Sequence, residues 1–190
     1  MAREHGIFTA REVAEAGIHS QELTRLVAEG VIERVARGRY RTVDRPVTEH
    51  HSLAVVATAV PRGVVCLLSA ASFHGLGTQL PHKVWIAIER GSRTPALAHP
   101  PLEVVRFSGA AFAEGVETHV IEGQAVRVYS VAKTLADLFK YRNRTGLDVA
   151  IEALRDAWSE RRFTIEALDR AARACRVERV MRPYVQGVVG

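Results

Sequence analysis

Cysteine is scarce in this chain of 190 residues: Cys66 and Cys175 are the only two, and they lie far apart. No disulfide framework can be drawn from one distant pair, and no C-x-x-C or Cys/His spacing is present that would hold zinc. Both read as small buried hydrophobes in a reducing compartment. Long apolar runs are missing too. Nothing approaches the roughly 18 to 20 uninterrupted apolar residues that span a bilayer, and Met1–Gly6 carries charge without an apolar signal core. The expectation is a cytoplasmic protein with no membrane partner.

The local signatures of common catalytic sites are also absent. The chain contains no G-x-x-x-x-G-K-[ST], G-x-G-x-x-G, H-E-x-x-H or G-x-S-x-G, so phosphate cradles, zinc-protease sites and nucleophile elbows lack their motifs. Ser69 and His74 stand five residues apart with no third member, which suits helix capping and packing better than catalysis. Asp137, Asp148 and Asp156 each have a Lys or Arg within about a helical turn, a spacing that predicts surface ion pairs rather than a two-metal centre. Adjacent His50 and His51 would point about 100° apart on a helix, poorly placed for one metal. No catalytic residue, metal site or cofactor is expected, and the chain reads as a non-enzyme.

Charge is present in quantity and unevenly placed. Hydrophobic residues make up 47% and charged residues 25%, the balance of a globular protein, and the formal charge is +5. Residues 1–60 hold eight Arg and eight Asp or Glu and are neutral as a block. Within them, Arg34, Arg37, Arg39, Arg41 and Arg45 crowd together, opposed locally only by Asp44. A basic strip thus sits on a neutral module, as a nucleic-acid contact requires. The net charge comes from the rest of the chain, with clusters at Lys140, Arg142 and Arg144 and again from Arg170 to Arg182. There Arg170, Arg173, Arg176 and Arg179 form a drifting stripe, read as a solvated face, a docking surface for an acidic partner protein or an auxiliary DNA contact.

Turn and cap signals organise the first block. Thr9-Ala10-Arg11-Glu12 has capping-box spacing, so a helix should begin at Ala10, with Val13 and Ala14 inward and Gly17 closing it before apolar Ile18. Ser20 is placed to cap a second helix through Glu29, with Leu23, Leu26 and Val27 facing inward and Gly30 as its stop. Two short helices broken by glycine make a helix-turn-helix. Val31–Val35 and Gly38–Val43, reversing at Ala36-Arg37-Gly38, then read as a hairpin, the wing. A recognition helix reads bases with its N-terminal half. The candidate DNA contacts are therefore Ser20, Gln21, Thr24 and Arg25 on the helix and Arg37 and Arg39 on the wing, with Gln21 suited to adenine and Arg25 to guanine. A winged helix usually has a further helix ahead of the pair. Only six residues precede Ile7, so either part of the start is missing or the helix at Thr48–Val60 folds back to fill that place.

Pro61-Arg62-Gly63 suggests a boundary between a DNA-binding domain, 1–60, and a second domain, 61–190. In the latter, Val64–Leu68 is a short apolar run, Ser69–Gly75 a short helix, and Val84–Ile88 and Leu102–Phe107 buried strands. Val116–Ile121 and Gln124–Tyr129 form a hairpin turning at Glu122-Gly123. Helices follow over Val131–Lys140 capped by Ser130, over Leu147–Trp158, and from Thr164 to about Val177. The fold class is α+β: a winged helix-turn-helix followed by a small mixed domain.

Several of these segments carry a family resemblance. Gly6-Ile7-Phe8-Thr9, Ala16-Gly17-Ile18, Leu26–Arg34 and Gly38-Arg39-Tyr40-Arg41 resemble the N-terminal domain of the AbiEi antitoxins. Ser69–Leu76 and Ser130–Leu138 are similar to segments that follow in that family. The resemblance covers residues 6–155 and implies a bacterial antitoxin and transcriptional repressor. Its winged helix would bind double-stranded operator DNA at inverted repeats and repress its own toxin-antitoxin operon. Its C-terminal domain would oppose a nucleotidyltransferase-like toxin. Relatives ending in a restriction-endonuclease-like domain carry a P-D…(D/E)-x-K core that this chain lacks. Two other readings stand beside it: a ligand-responsive regulator without a toxin partner, and a degenerate nuclease that uses DNA binding for targeting.

Overall fold

The computed structural model describes residues 6–44 and 48–189; Arg45, the last of the arginine strip, and the first five residues lie outside them. The architecture is α+β, and the described residues form two compact units.

The first unit opens with β1 (Ile7–Thr9), which leads directly into α1 (Ala10–Glu15). Thr9 has extended dihedrals, its hydroxyl accepts from the Glu12 N–H at 3.2 Å, and the Glu12 carboxylate accepts from the Thr9 N–H at 2.6 Å. Both bonds of the capping box are therefore made. Gly17, at φ +80°, lets the chain reverse while the Ile18 N–H reaches back to Val13 O at 3.1 Å.

Helix α2 spans Ser20–Ala28, but its cap is His19, which makes no side-chain capping bond, and Ser20 is the first helical residue instead of the cap. Leu23 is buried and Leu26 partly so, whereas Val27, read as inward-facing, is 38% exposed. A nine-residue helix packed on one small core can cover only a narrow stripe.

The wing is β2 (Ile32–Ala36) and β3 (Arg39–Thr42), antiparallel, with a register shift between Arg34 and Ala36. β1 adds a third strand on the far side of β3, pairing Phe8 with Tyr40 and Thr9 with Arg39. Phe8, Leu23 and Ile32 form the core with Val13, Leu26 and Tyr40 around them. The next helix, α3 (His51–Ala59), packs against β1, so the third helix of the unit comes from after the wing.

Among the described residues, the first unit comprises 6–44 and 48–62 together with Pro95–Pro101 and Thr118–Val126. The latter stretch is fastened to the start of the chain. Gly6 N–H donates to Glu122 O at 2.8 Å, and the Gln124 amide donates to Ile7 O at 2.6 Å. A Cβ on Gly6 would lie 2.4 Å from that Glu122 oxygen, so the approach needs glycine. The Glu122 carboxylate receives the Thr48 N–H and hydroxyl, both at 2.9 Å, and lies 2.8 Å from His51 Nδ1.

The second unit contains β4 (Val64–Val65), α4 (Leu67–Phe73), β5 (Val84–Glu89), β6 (Leu102–Phe107) and the short α5 (Ala110–Ala113). The hairpin of β7 (Val116–Ile121) and β8 (Gln124–Tyr129) belongs to this unit only at its ends, Thr118–Val126 being counted in the first, and its turn residues Glu122 and Gly123 are both at positive φ as a two-residue hairpin turn demands. The sheet order is β6-β5-β4-β8-β7. Helices α6 (Val131–Lys140), α7 (Arg142–Thr145), α8 (Leu147–Ser159), α9 (Ile165–Cys175) and α10 (Glu178–Val189) complete it. Ser130 and Thr164 cap α6 and α9 through their hydroxyls, as their positions predict. Ser69 does not cap α4: Cys66 occupies that position, and the Ser69 hydroxyl bonds the backbone of Lys83 and Trp85.

Helix α6 is central. It packs against α4, α8 and α9, and every residue from Val131 to Phe139 is buried. Asp137, read as half of a surface ion pair, is instead fully buried. Both its oxygens accept from Lys133 Nζ, at 2.7 and 2.6 Å, and Oδ1 also accepts from the Cys175 thiol at 3.2 Å. The Lys133 ammonium lies 4.0 Å from the Tyr129 ring centroid and 4.7 Å from that of Phe107. Spacing at i, i+4 is the same for an exposed pair and a buried one, and only the helices packed around α6 decide which it is. Asp156 departs from the surface-pair reading as well, accepting from the Gly77 N–H at 2.8 Å.

Candidate nucleic-acid interface

The first unit combines a short helix-turn-helix with a three-stranded sheet, which is the winged-helix plan. Its capping box fixes where α1 starts, and the turn at Gly17 sets the exit toward α2. The first half of α2 is thereby left on the surface: Ser20, Gln21, Thr24 and Arg25 are all exposed. The Thr24 hydroxyl donates to Ser20 O at 3.3 Å, while Gln21 extends its amide from an exposed position. Arg25 is held between two acids, Glu22 at 3.0 Å and Glu29 at 3.3 Å. A base edge or phosphate must compete with both carboxylates for that guanidinium.

On the wing the two chosen arginines differ. Arg37 is exposed in the turn, beside Gly38 at φ +69°. Arg39 is partly buried: its guanidinium donates to Thr58 O at 3.1 Å and to Arg37 O at 3.2 Å, and burial lowers its pKa below the ordinary arginine value. Its Nε is buried with no hydrogen-bond partner. Arg39 therefore ties β3 to α3 as well as carrying charge.

Arg34, part of the arginine strip but not among the chosen DNA contacts, is exposed on β2 and donates to Ala36 O at 3.4 Å. The ion pairs divide the arginines of this unit. Arg11 binds Glu15, Arg25 binds Glu22 and Glu29, and Arg41 binds Glu33. Among the described residues, Arg34, Arg37 and Arg39 have no acidic partner. The strip read from the sequence thus loses Arg41 to Glu33, and among its described residues the uncompensated charge collects on Arg34, Arg37 and Arg39.

The second unit offers less chemistry. Ser69 is engaged by backbone, as above, and His74 Nε2 lies 2.7 Å from Tyr129 O, so each serves packing. Both thiols are buried. Burial and the neighbouring Asp137 push Cys66 well above the ordinary thiol value and Cys175 up to about 12. No group of three His, Cys, Asp or Glu able to hold a metal occurs among the described residues, and His51 is engaged by Glu122. Part of the basic surface is also committed: Arg144 pairs with Glu103 and lies over Trp85, and Arg127 lies over Phe112. No helix among the described residues is long and apolar enough to cross a membrane.

The class that this fold and site define is a winged-helix protein with an α+β second unit. Residues 2–43 match the family described as "Transcriptional regulator, AbiEi antitoxin", and the family resemblance drawn from Gly6–Arg41 holds for that segment. Among solved structures, the chain is similar to the crystal structure of the RV2827C protein from Mycobacterium tuberculosis. The TM-score is 0.61 at 15% identity, covering 90% of this chain and 67% of that one, a likeness of fold. No curated protein matches the chain.

Proposed function

We propose that this protein is a DNA-binding transcriptional regulator of the antitoxin type, which binds operator DNA at inverted repeats upstream of its own operon and represses it. The second unit opposes a nucleotidyltransferase-like toxin encoded alongside. The observation that carries the reading is a winged helix-turn-helix whose wing bears three arginines free of acidic partners, within a segment that matches antitoxin regulators. Uncompensated cations supply the sequence-independent part of duplex binding, and the exposed first half of α2, with Gln21 and Arg25, supplies base contacts.

The test is a titration of the full chain against a labelled duplex from immediately upstream of its gene, beside a scrambled duplex, at several salt concentrations. If about five phosphates are contacted, log K falls against log salt with a slope of roughly −4.5, and the native duplex binds more tightly. Equal, weak binding to both duplexes overturns autoregulation. Co-expression with the adjacent gene's product tests the other half: rescue of growth supports neutralisation, and undiminished toxicity refutes it.

A further inference from the structure

A cleft of about 640 Å³ opens on the first unit, walled by Arg34, Ala36, Arg37 and Arg39 of the wing and by Ala96, Leu97, Ala98 and His99. All eight residues belong to the first unit, although the second wall comes from a stretch some sixty residues beyond the wing. The volume falls within the usual range for small-ligand sites and far exceeds what one inorganic anion fills. One wall carries the three arginines that lack acidic partners; the other presents three small or apolar side chains and an imidazole. Arg39 lines the cleft with a partly buried guanidinium whose Nε is buried and has no hydrogen-bond partner.

A cationic wall facing an apolar one fits a ligand that is anionic at one end and apolar at the other. We propose that this cleft binds a nucleotide unit, its phosphate on Arg34, Arg37 and Arg39 and its sugar or base against Ala96–Ala98. The unit can come from the backbone of bound DNA or from a free mononucleotide. In the first case the proposal rests on the DNA-binding reading and extends its contacts to a segment outside the winged helix-turn-helix; in the second it makes the wing the seat of an effector.

Arg39→Ala would also cut the tie to Thr58, so the informative variants are Arg34→Ala and Ala98→Glu, both at exposed positions. Each is made in the full chain, checked for unchanged thermal unfolding, and titrated with the upstream duplex and, by calorimetry, with AMP. If the cleft takes DNA backbone, each variant weakens duplex binding several-fold, and Arg34→Ala lowers the salt slope by about one. If it takes a free nucleotide, AMP binds the wild type and is lost in both variants. The proposal is overturned if duplex affinity is the same in all three proteins and AMP binds none of them. A wild type that binds the upstream duplex selectively while both variants match it, with no AMP binding, removes the cleft and leaves the regulator reading intact. A wild type that ignores DNA but binds AMP through Arg34 does the reverse.

Discussion

Arg39 donates from its guanidinium to the backbone carbonyl of Thr58, 3.1 Å away, and so joins the last strand of the wing to the helix that follows it. A charged hydrogen bond of this kind contributes about 1.5–3 kcal/mol. Arg39→Ala should therefore lower the stability of the first unit by about that amount, while Arg37→Ala, at an exposed turn, should change it by less than about 0.5 kcal/mol. Urea unfolding of both variants is the measurement. Equal stabilities would mean that the Thr58 contact contributes nothing, and loss of DNA binding in Arg39→Ala could then be read as loss of a phosphate contact alone.

Glu29 sits at the C-terminal end of α2, where a negative charge opposes the helix dipole, and it helps to sequester Arg25. Glu29→Gln should leave the fold intact and strengthen duplex binding by roughly 2- to 10-fold at low salt, with the gain shrinking as salt rises. Unchanged affinity at about 50 mM salt would place Arg25 away from the DNA.

Burial alone would raise the Glu122 carboxyl, but the hydrogen bonds from the Thr48 N–H and hydroxyl and from His51 outweigh it and hold the carboxyl below its ordinary value. A lowered folded-state pKa stabilises the protein above the unfolded value of about 4.3 and loses that contribution as pH falls through the lower, folded value. Glu122→Gln should thus be less stable than wild type at pH 7, and the gap should close below about pH 4. A gap that is constant from pH 7 to pH 3 would assign the effect to shape instead of charge.

Lys133 and Asp137 are both essentially inaccessible, so removing one partner strands the other's charge. Lys133→Met alone should cost about 3–5 kcal/mol, whereas Lys133→Met with Asp137→Leu should recover most of the loss. Non-additivity in a thermal-unfolding cycle is the expected signature, and simple addition of the two single effects would refute the coupling.

Much of the winged helix was legible because its signals are local. The T-x-x-E box at Thr9, the glycine stops at Gly17 and Gly30, and the Arg37-Gly38 reversal each depend on residues within one turn of themselves, and each element formed within a residue or two of its expected bounds. The same is true of the Ser130 and Thr164 caps. What escaped was long-range. Strand β1 is three residues long and gains its identity from pairing with β3. The burial of Asp137 depends on three helices packed around α6. Helix α10 follows a left-handed residue, Arg176, that interrupts the arginine spacing read as a drifting stripe. At the interface, composition located the arginine strip, but the partition into paired and unpaired cations depends on Glu22, Glu29 and Glu33, whose reach only the folded backbone sets. The wall at Ala96–His99 carries no sequence signal at all.

The interleaving of the first unit has a consequence for timing. Its last stretch, Thr118–Val126, supplies the carbonyl and carboxylate of Glu122 that hold Gly6, Thr48 and His51. A ribosome making this chain releases the helix-turn-helix first and withholds those fastenings until Glu122 has emerged. The winged-helix unit is therefore completed only once the β7–β8 hairpin has emerged, and a nascent chain truncated before the hairpin carries α1 and α2 without the clamp on Gly6, Thr48 and His51.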